Sequence, residues 1–283
     1  MRNQHSFVVD QYDLAATLVS GQAFRWEFKD EAWNGIIDGR CVRLVNGPGT
    51  ILAETAVPVQ DWHWLRHYLQ LDVTLEAILQ TFPDDEPMRQ AVTSCRGLRL
   101  LRQDPWECLA SFILSSTKQI VQIRQIVALL CTRFGTLIPS FDANPAFAFP
   151  TAAQIASATE GELRACKMGF RAPYLLAAAR AVDSGSIDLA ALHSTSLETA
   201  RGDLMQLAGV GRKIADCVLL FACGFPTAFP VDVWVIKALC QLYFPRRRPS
   251  AKRLLRFSET HFGPNSGYAQ QYLFHYMRTK RNA

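Results

Sequence analysis

Leu207-Ala208-Gly209-Val210-Gly211-Arg212-Lys213, continued by Ile214-Ala215-Asp216-Cys217-Val218, sets a Gly-Val-Gly turn between two apolar runs. Ile214, Cys217, Val218 and Phe221 repeat at i, i+3, i+4 and i+7, the stripe of a helix with one buried face. The run before the turn reads as helix too, so residues from about 204 to 223 predict a helix–hairpin–helix. The two glycines permit positive φ and leave backbone N–H groups uncovered. N–H groups at a helix start, with the helix dipole behind them, form a seat for an anion such as a nucleic-acid phosphate. Gly209, Val210 and Gly211 are therefore candidate DNA-binding residues, although a GxG alone also fits an ordinary turn between helices. Lys213 stands at the mouth of the second helix, with the small thiol of Cys217 one turn on and on the same face.

Further along, Phe229-Pro230-Val231-Asp232-Val233-Trp234 supplies a carboxylate at another helix start. A helix over 213–223 runs about 16 Å at about 1.5 Å per residue. The return from Gly224 to Val231 can span up to about 26 Å. Asp232 can therefore come back beside Lys213. Pro230 favours an extended entry, and aspartate is also a strong N-cap, a role compatible with catalysis.

The chain of 283 residues is 49% hydrophobic, enough for a sizeable core and for one large or two modest domains. Its net charge of +5 is unevenly spread. Residues 201–283 carry 13 Lys/Arg against 4 Asp/Glu, including Arg246-Arg247-Arg248 and the Arg278, Lys280, Arg281 tail, whereas the rest is acidic on balance. A basic end that contains a phosphate-binding turn is the footprint of a double-stranded DNA partner. No apolar run has the length of a membrane span, and Met1–His5 lack the apolar stretch of a signal peptide. The expectation is a cytoplasmic, nucleoid-associated monomer. Eight cysteines show no CxxC spacing and read as reduced, mostly buried thiols. His63 and His67 are four apart without further ligands, so no metal site is expected.

Short strands are expected at Phe7–Val9, Phe24–Trp26, Trp33–Ile37, Cys41–Val45 and Ile51–Leu52, with a short helix over Asp13–Leu18. From Asp61 the pattern turns helical, with helices expected over 105–115, 118–134, 160–166, 171–183, 196–207, 213–223, 233–243, 250–261 and 266–279. A Pro- and Phe-rich connector fills 137–150. The fold class is α+β: an antiparallel-sheet domain over 1–95, then an all-α domain over 96–283.

Several further segments, in order, carry a resemblance. Gly21-Gln22-Ala23-Phe24-Arg25-Trp26, Leu100-Leu101-Arg102-Gln103-Asp104-Pro105-Trp106-Glu107-Cys108-Leu109, Ser111-Phe112-Ile113-Leu114-Ser115-Ser116 and Met168-Gly169-Phe170-Arg171-Ala172 join the hairpin and Pro230-Val231-Asp232-Val233. Together they resemble the 8-oxoguanine DNA glycosylase/lyases of the helix–hairpin–helix glycosylase superfamily, from about Gly21 to Phe274. The resemblance implies a sheet domain of TATA-binding-protein type ahead of the helical glycosylase domain. It implies that Lys213 attacks C1′ of the damaged nucleotide, displaces the base and forms a Schiff base, after which β-elimination nicks the strand. Asp232 would stabilise positive charge on the sugar and assist proton movement. The flipped base would lie between Phe274 and Cys217, with Gln270 on its Watson–Crick edge. The Gly21 carbonyl would read N7–H, a donor in 8-oxoguanine but a lone pair in guanine. No soluble cofactor is implied, the iron–sulfur cysteines of some relatives are absent, and hairpin carbonyls are candidates to hold a monovalent cation.

The sequence also departs from that pattern. Thr117-Lys118-Gln119 replaces an asparagine run whose first residue fills the gap left by the flipped base, so gap filling is expected to shift to Lys118 or Phe170. Phe170 stands at the position of a wedging tyrosine. Arg171 matches one arginine that reads the orphaned cytosine, whereas the second falls at Gln122, with Arg124 close by. A weakened preference for cytosine opposite the lesion is expected. Trp234 replaces a DNA-contacting histidine of the better-known eukaryotic members, pointing to a bacterial-type branch. Two other readings compete: an alkylated-base glycosylase of the same superfamily, whose branch generally lacks the hairpin lysine, and a non-catalytic helix–hairpin–helix module whose lysine only meets phosphate.

Overall fold

Burial alternates along Thr50–Val59, where Ile51, Ala53 and Thr55 are buried, the period of two that a sheet covered on one face requires. The computed structural model of the protein describes residues 2–116, 118–246 and 249–280. Its first lobe runs β1 (Arg2–Val8), α1 (Leu14–Val19), β2 (Trp26–Lys29), β3 (Ala32–Ile37), β4 (Arg40–Gly47), β5 (Thr50–Val59) and α2 (His63–Tyr68). The strands form one antiparallel sheet in the order β1-β5-β4-β3-β2, with Trp33 opposite Leu44 and Val45 opposite Leu52. Asp30-Glu31 and Asp38-Gly39 turn the two-residue hairpins, all four with positive φ, the geometry that matches strand twist. Phe7, Leu14, Trp26, Val42, Leu44, Ile51 and Leu65 fill the space between the sheet, α1 and α2.

Then follow α3 (Leu75–Leu79), α4 (Glu86–Ser94), α5 (Pro105–Leu114), α6 (Ile120–Phe134), α7 (Ala152–Ala156), α8 (Glu160–Leu163), α9 (Ala172–Asp183), α10 (Leu197–Met205), α11 (Arg212–Phe221), α12 (Val233–Leu242), α13 (Ala251–His261) and α14 (Ser266–Thr279). The α+β expectation of a five-stranded antiparallel sheet followed by a helical lobe holds. The apolar core, however, does not divide at residue 95. Leu75, Ile78, Met88, Ala91 and Cys95 belong to the helical core, together with Ala16 and Phe24 from the sheet lobe. The reason lies in α14, the last helix. Tyr272 donates its hydroxyl to the Leu98 carbonyl (3.1 Å), and Tyr276 donates to Gln90 Oε1 (3.1 Å). On the neighbouring α13, His261 meets Asp85 at 2.7 Å.

Three local expectations need correction. The segment expected as a strand from Phe24 is loop until Trp26, because Gln22 ties it down elsewhere (below). The helix expected over 160–166 stops at Leu163, and the chain passes through a wide, distorted turn with Lys167 at φ +63°. The Pro-rich connector carries a small ladder of Leu137–Ile138 against Ala146–Phe147. Among the described residues no helix is long and apolar enough to cross a membrane.

Candidate active site

The hairpin forms as its glycines require, but the two glycines act differently. Gly209 has φ +79°, and a Cβ there would lie 2.5 Å from Cγ of Tyr174, so both conformation and contact exclude a side chain. Gly211 is extended (φ −95°, ψ 176°) and caps α11. A side chain there would meet none of the described residues within 4 Å. The expectation that both glycines supply positive φ is corrected for Gly211: what glycine provides there is open room beside the first-turn N–H groups, where a phosphate can approach. Val210 is buried and holds the turn from inside, its N–H on the Leu207 carbonyl at 3.0 Å. A buried ion pair, Arg201 Nε to Asp216 Oδ1 at 2.7 Å, clamps α10 to α11. Burial pushes the Asp216 carboxyl up, and Arg201 and Arg212 pull it back.

One turn before Asp216, Lys213 leaves the apolar stripe and reaches across to α5. Its Nζ donates to Ser115 Oγ (3.0 Å) and lies 5.1 Å from the centroid of the Phe112 ring. Asp232 is the N-cap of α12, its Oδ1 accepting from the Trp234 N–H (2.9 Å) and the Val235 N–H (2.8 Å). Both bonds end on Oδ1, so Oδ2 keeps its capacity to accept a proton or face positive charge. Burial raises the Asp232 carboxyl above the usual aspartate range, against the two cap N–H groups, Lys213 and Arg278, which lower it. The cap geometry thus fixes the carboxylate in the field of the lysine, as the chain-length argument anticipated.

Lys213 and Asp232 open onto a cavity of about 910 Å³ between α5, α6, α11, α12 and α14. Gly21, Cys217, Gln270, Phe274, Lys118, Gln119 and Trp234 line the same cavity, so residues from 21 to 274 converge as the sequence reading required. Burial pushes the Cys217 thiol up to about 12, so it stays neutral and serves as a small apolar wall. Gln270 is 3% exposed, and among the described residues its Oε1 has no hydrogen-bond partner, an unsatisfied acceptor beside an open cavity. Gln270 and Phe274 lie one turn apart on α14. Gly21 has φ +81°, and a Cβ there would lie 2.9 Å from Ile120 Cδ1, 3.2 Å from Arg278 Nη1 and 3.3 Å from a Phe274 ring carbon.

Gln22 holds this glycine in place. Fully buried, it donates to the Thr17 (2.9 Å) and Arg99 (2.8 Å) carbonyls and accepts from the Leu101 N–H (2.8 Å). Its own carbonyl accepts from Gln103 Nε2 (2.8 Å). Gln22, Ser115, Phe112 and Arg278 are site residues that sequence reasoning left unassigned. The first three stand inside the quoted motif segments, which was the available signal; Arg278, one turn beyond Phe274, was read only as part of a basic tail.

Of the residues expected to open the duplex, Phe170 and Arg171 lie outside the pocket lining. Thr117 falls outside the described residues. Lys118 and Gln119 lie at the pocket rim, and Gln119 starts α6. Gln122 accepts from the Gln119 N–H (3.1 Å) and so serves to cap α6. Phe170 is 55% exposed, the surface aromatic expected of a wedge. Arg171 is 2% exposed and stacks under it, with the guanidinium 4.2 Å from the ring centroid. Arg171, matched in the sequence to an arginine that reads the orphaned cytosine, is thus buried beside the exposed Phe170 ring. Lys237 covers the Trp234 ring at 5.4 Å.

A second, smaller cavity of about 350 Å³ separates the sheet lobe from the start of α5, lined by Arg25, Trp64, His67, Arg102 and Glu107 among others. Burial raises the Glu107 carboxyl to about 7, although Arg25 at 3.6 Å pulls it down. Lys213 and Asp232 do not reach this cavity.

A hairpin lysine and a capping aspartate on one cavity between the helices, with Gly21 of the sheet lobe at its corner, form the site of a base-excision DNA glycosylase. The chain belongs to the HhH-GPD superfamily of base excision DNA repair proteins, whose family model matches residues 110–264. Residues 6–109 match the N-terminal domain of 8-oxoguanine DNA glycosylase. The chain is 28% identical to a probable N-glycosylase/DNA lyase of Methanothermobacter thermautotrophicus, covering 95% of both chains. It superposes on the structure of MBOgg1 in complex with a low-affinity DNA ligand with a TM-score of 0.94 at 32% identity, covering 99% of this chain and 97% of the other. The same coverage and TM-score, at 29% identity, relate it to Clostridium acetobutylicum 8-oxoguanine glycosylase/lyase in complex with double-stranded DNA containing cytosine opposite 8-oxoguanine.

Proposed function

We propose that this chain binds double-stranded DNA, flips 8-oxoguanine into the cavity, excises it and nicks the strand at the resulting abasic site. Lys213 is the nucleophile. Its Nζ gives a lone pair to C1′ while the C1′–N9 pair leaves with the base, and the opened sugar becomes a Schiff base. The iminium then draws electrons from C2′, so loss of the C2′ proton expels the 3′ phosphate. Asp232 Oδ2 stabilises positive charge on the sugar and relays the amine proton. Attack requires the neutral amine, and closure of the pocket by DNA removes the water that solvates its charge. Amine and carboxylate account for every proton and electron pair, so the chemistry calls for no soluble cofactor. The hairpin carbonyls keep their candidate role in holding a monovalent cation, and a monomer suffices for this site.

The carrying observation is the convergence of Lys213, Asp232 and the unsatisfied Gln270 Oε1 on one cavity. Gly21 forms one corner of it, where a carbonyl discriminates N7–H from a lone pair by about 1–3 kcal/mol. A labelled duplex with one 8-oxoguanine opposite cytosine tests the reading, with wild type and Lys213→Gln, with and without borohydride. Base release, nicking and a trapped adduct are expected from wild type alone. Tight binding without base release would overturn it.

A further inference from the structure

The proposed pocket has one charged side chain on its far wall to which no part of the mechanism above gives a task. Arg278 lines the cavity from the last turn of α14, so Gln270, Phe274 and Arg278 form one stripe at i, i+4 and i+8. Its guanidinium carbon lies 5.3 Å from the Phe274 ring centroid. Its Nη1 sits 3.2 Å from where a Gly21 Cβ would stand and makes one long contact, 3.5 Å, to the Val19 carbonyl. The guanidinium thus occupies the same corner of the pocket as Gly21.

That corner has a defined chemistry under the proposed reading. If the Gly21 carbonyl accepts N7–H, the groups nearest to it on the base are the carbonyl oxygens O8 and O6, which flank N7. Both are acceptors, and a guanidinium carries five donors and a permanent charge. We infer that Arg278 is a specificity-determining residue that donates to a carbonyl oxygen beside N7–H and stabilises the base as it leaves. When the C1′–N9 bond breaks, its electron pair stays with the base and spreads from N9 onto those oxygens until a proton arrives. Arg278 transfers no proton; it offsets the negative charge in a pocket where water cannot. Burial lowers the guanidinium and the Asp232 carboxylate opposes that, and both side chains line the one cavity.

The inference rests on the proposed excision, and the experiment separates the two. Single-turnover base release is measured on an 8-oxoguanine duplex for wild type, Arg278→Leu and Arg278→Lys, with cleavage and borohydride trapping of a duplex carrying a preformed abasic site as reference. Loss of a charge-assisted hydrogen bond predicts base release about 10- to 100-fold slower in Arg278→Leu, partly restored in Arg278→Lys. Cleavage of the abasic duplex, which holds no base, is expected to change less than about twofold. An 8-oxoadenine duplex assigns the oxygen, since it keeps O8 but carries an amino group at C6. Equal loss on both lesions assigns O8, and loss confined to 8-oxoguanine assigns O6. Equal loss on lesion and abasic duplexes would place the guanidinium on a DNA phosphate and overturn the inference, as would unchanged base release. Failure of wild type to release the base would instead overturn the excision reading.

Discussion

The base pocket and the duplex-opening edge differ in how completely they are built before DNA arrives. Around Gly21 every backbone direction is fixed: Gln22 is buried with four hydrogen bonds of 2.8–2.9 Å, and Ile120, Phe274 and Arg278 close on the glycine. At the edge, Phe170 projects into solvent and Arg171 lies stacked beneath it. The pocket must discriminate a single proton at N7, which demands fixed donors and acceptors. The edge must separate stacked bases, which requires only an apolar surface that can move.

Substitutions should split along that line. Gly21→Ala is expected to have the largest effect. It combines a strained positive φ with collisions against Ile120, Arg278 and Phe274, together about 4 kcal/mol or ~10³-fold in 8-oxoguanine release. Single-turnover kinetics would read this, and a loss under tenfold would show that the pocket yields. Asp216→Ala should leave Arg201 with only the exposed Glu198 and loosen the hairpin, costing about 3 kcal/mol in denaturant unfolding. An unchanged midpoint would mean that Glu198 alone satisfies Arg201.

Phe170→Ala removes one stacking surface, for about a tenfold slower excision from duplex DNA. With Arg171 covered and Gln122 occupied in a cap, wild-type rates opposite C, T, G and A are expected to lie within about tenfold of one another. A strong cytosine preference would show that Arg171 swings out on binding. The smallest effect concerns α5, the strut under the pocket. Glu107 is raised from 4.5 to about 7 in the folded chain, so between those values the native state holds a proton that the unfolded state has released. Stability therefore falls as pH rises across that window and is flat above it. Glu107→Gln should abolish the slope, gaining a few degrees of Tm over wild type at pH 8 and none at pH 4. Parallel melting curves for the two proteins at both pH values would contradict it.

Local pattern made much of this legible beforehand. The 3.6 period after Gly211 gave α11, chain length allowed Asp232 to return beside Lys213, and capping chemistry placed Asp232 at the start of α12. These features depend on neighbours within about twenty residues. The mispositioned features depend on partners far along the chain. The loop before β2 is loop because Gln22 bonds to Arg99 and Leu101, and α3 and α4 join the helical core because α14 needs a surface to bury.

By itself, the sequence determined most of the lobes' secondary structure, the hairpin, the lysine and the aspartate, because periodicity, glycine and capping act over short range. Tertiary structure alone decided that Ser115 and Phe112 receive the lysine, that Gln22 fixes Gly21, and that Arg278 turns into the pocket while Arg171 turns beneath Phe170. The two arginines take opposite fates because burial is settled by what packs against a side chain, and no local pattern encodes that.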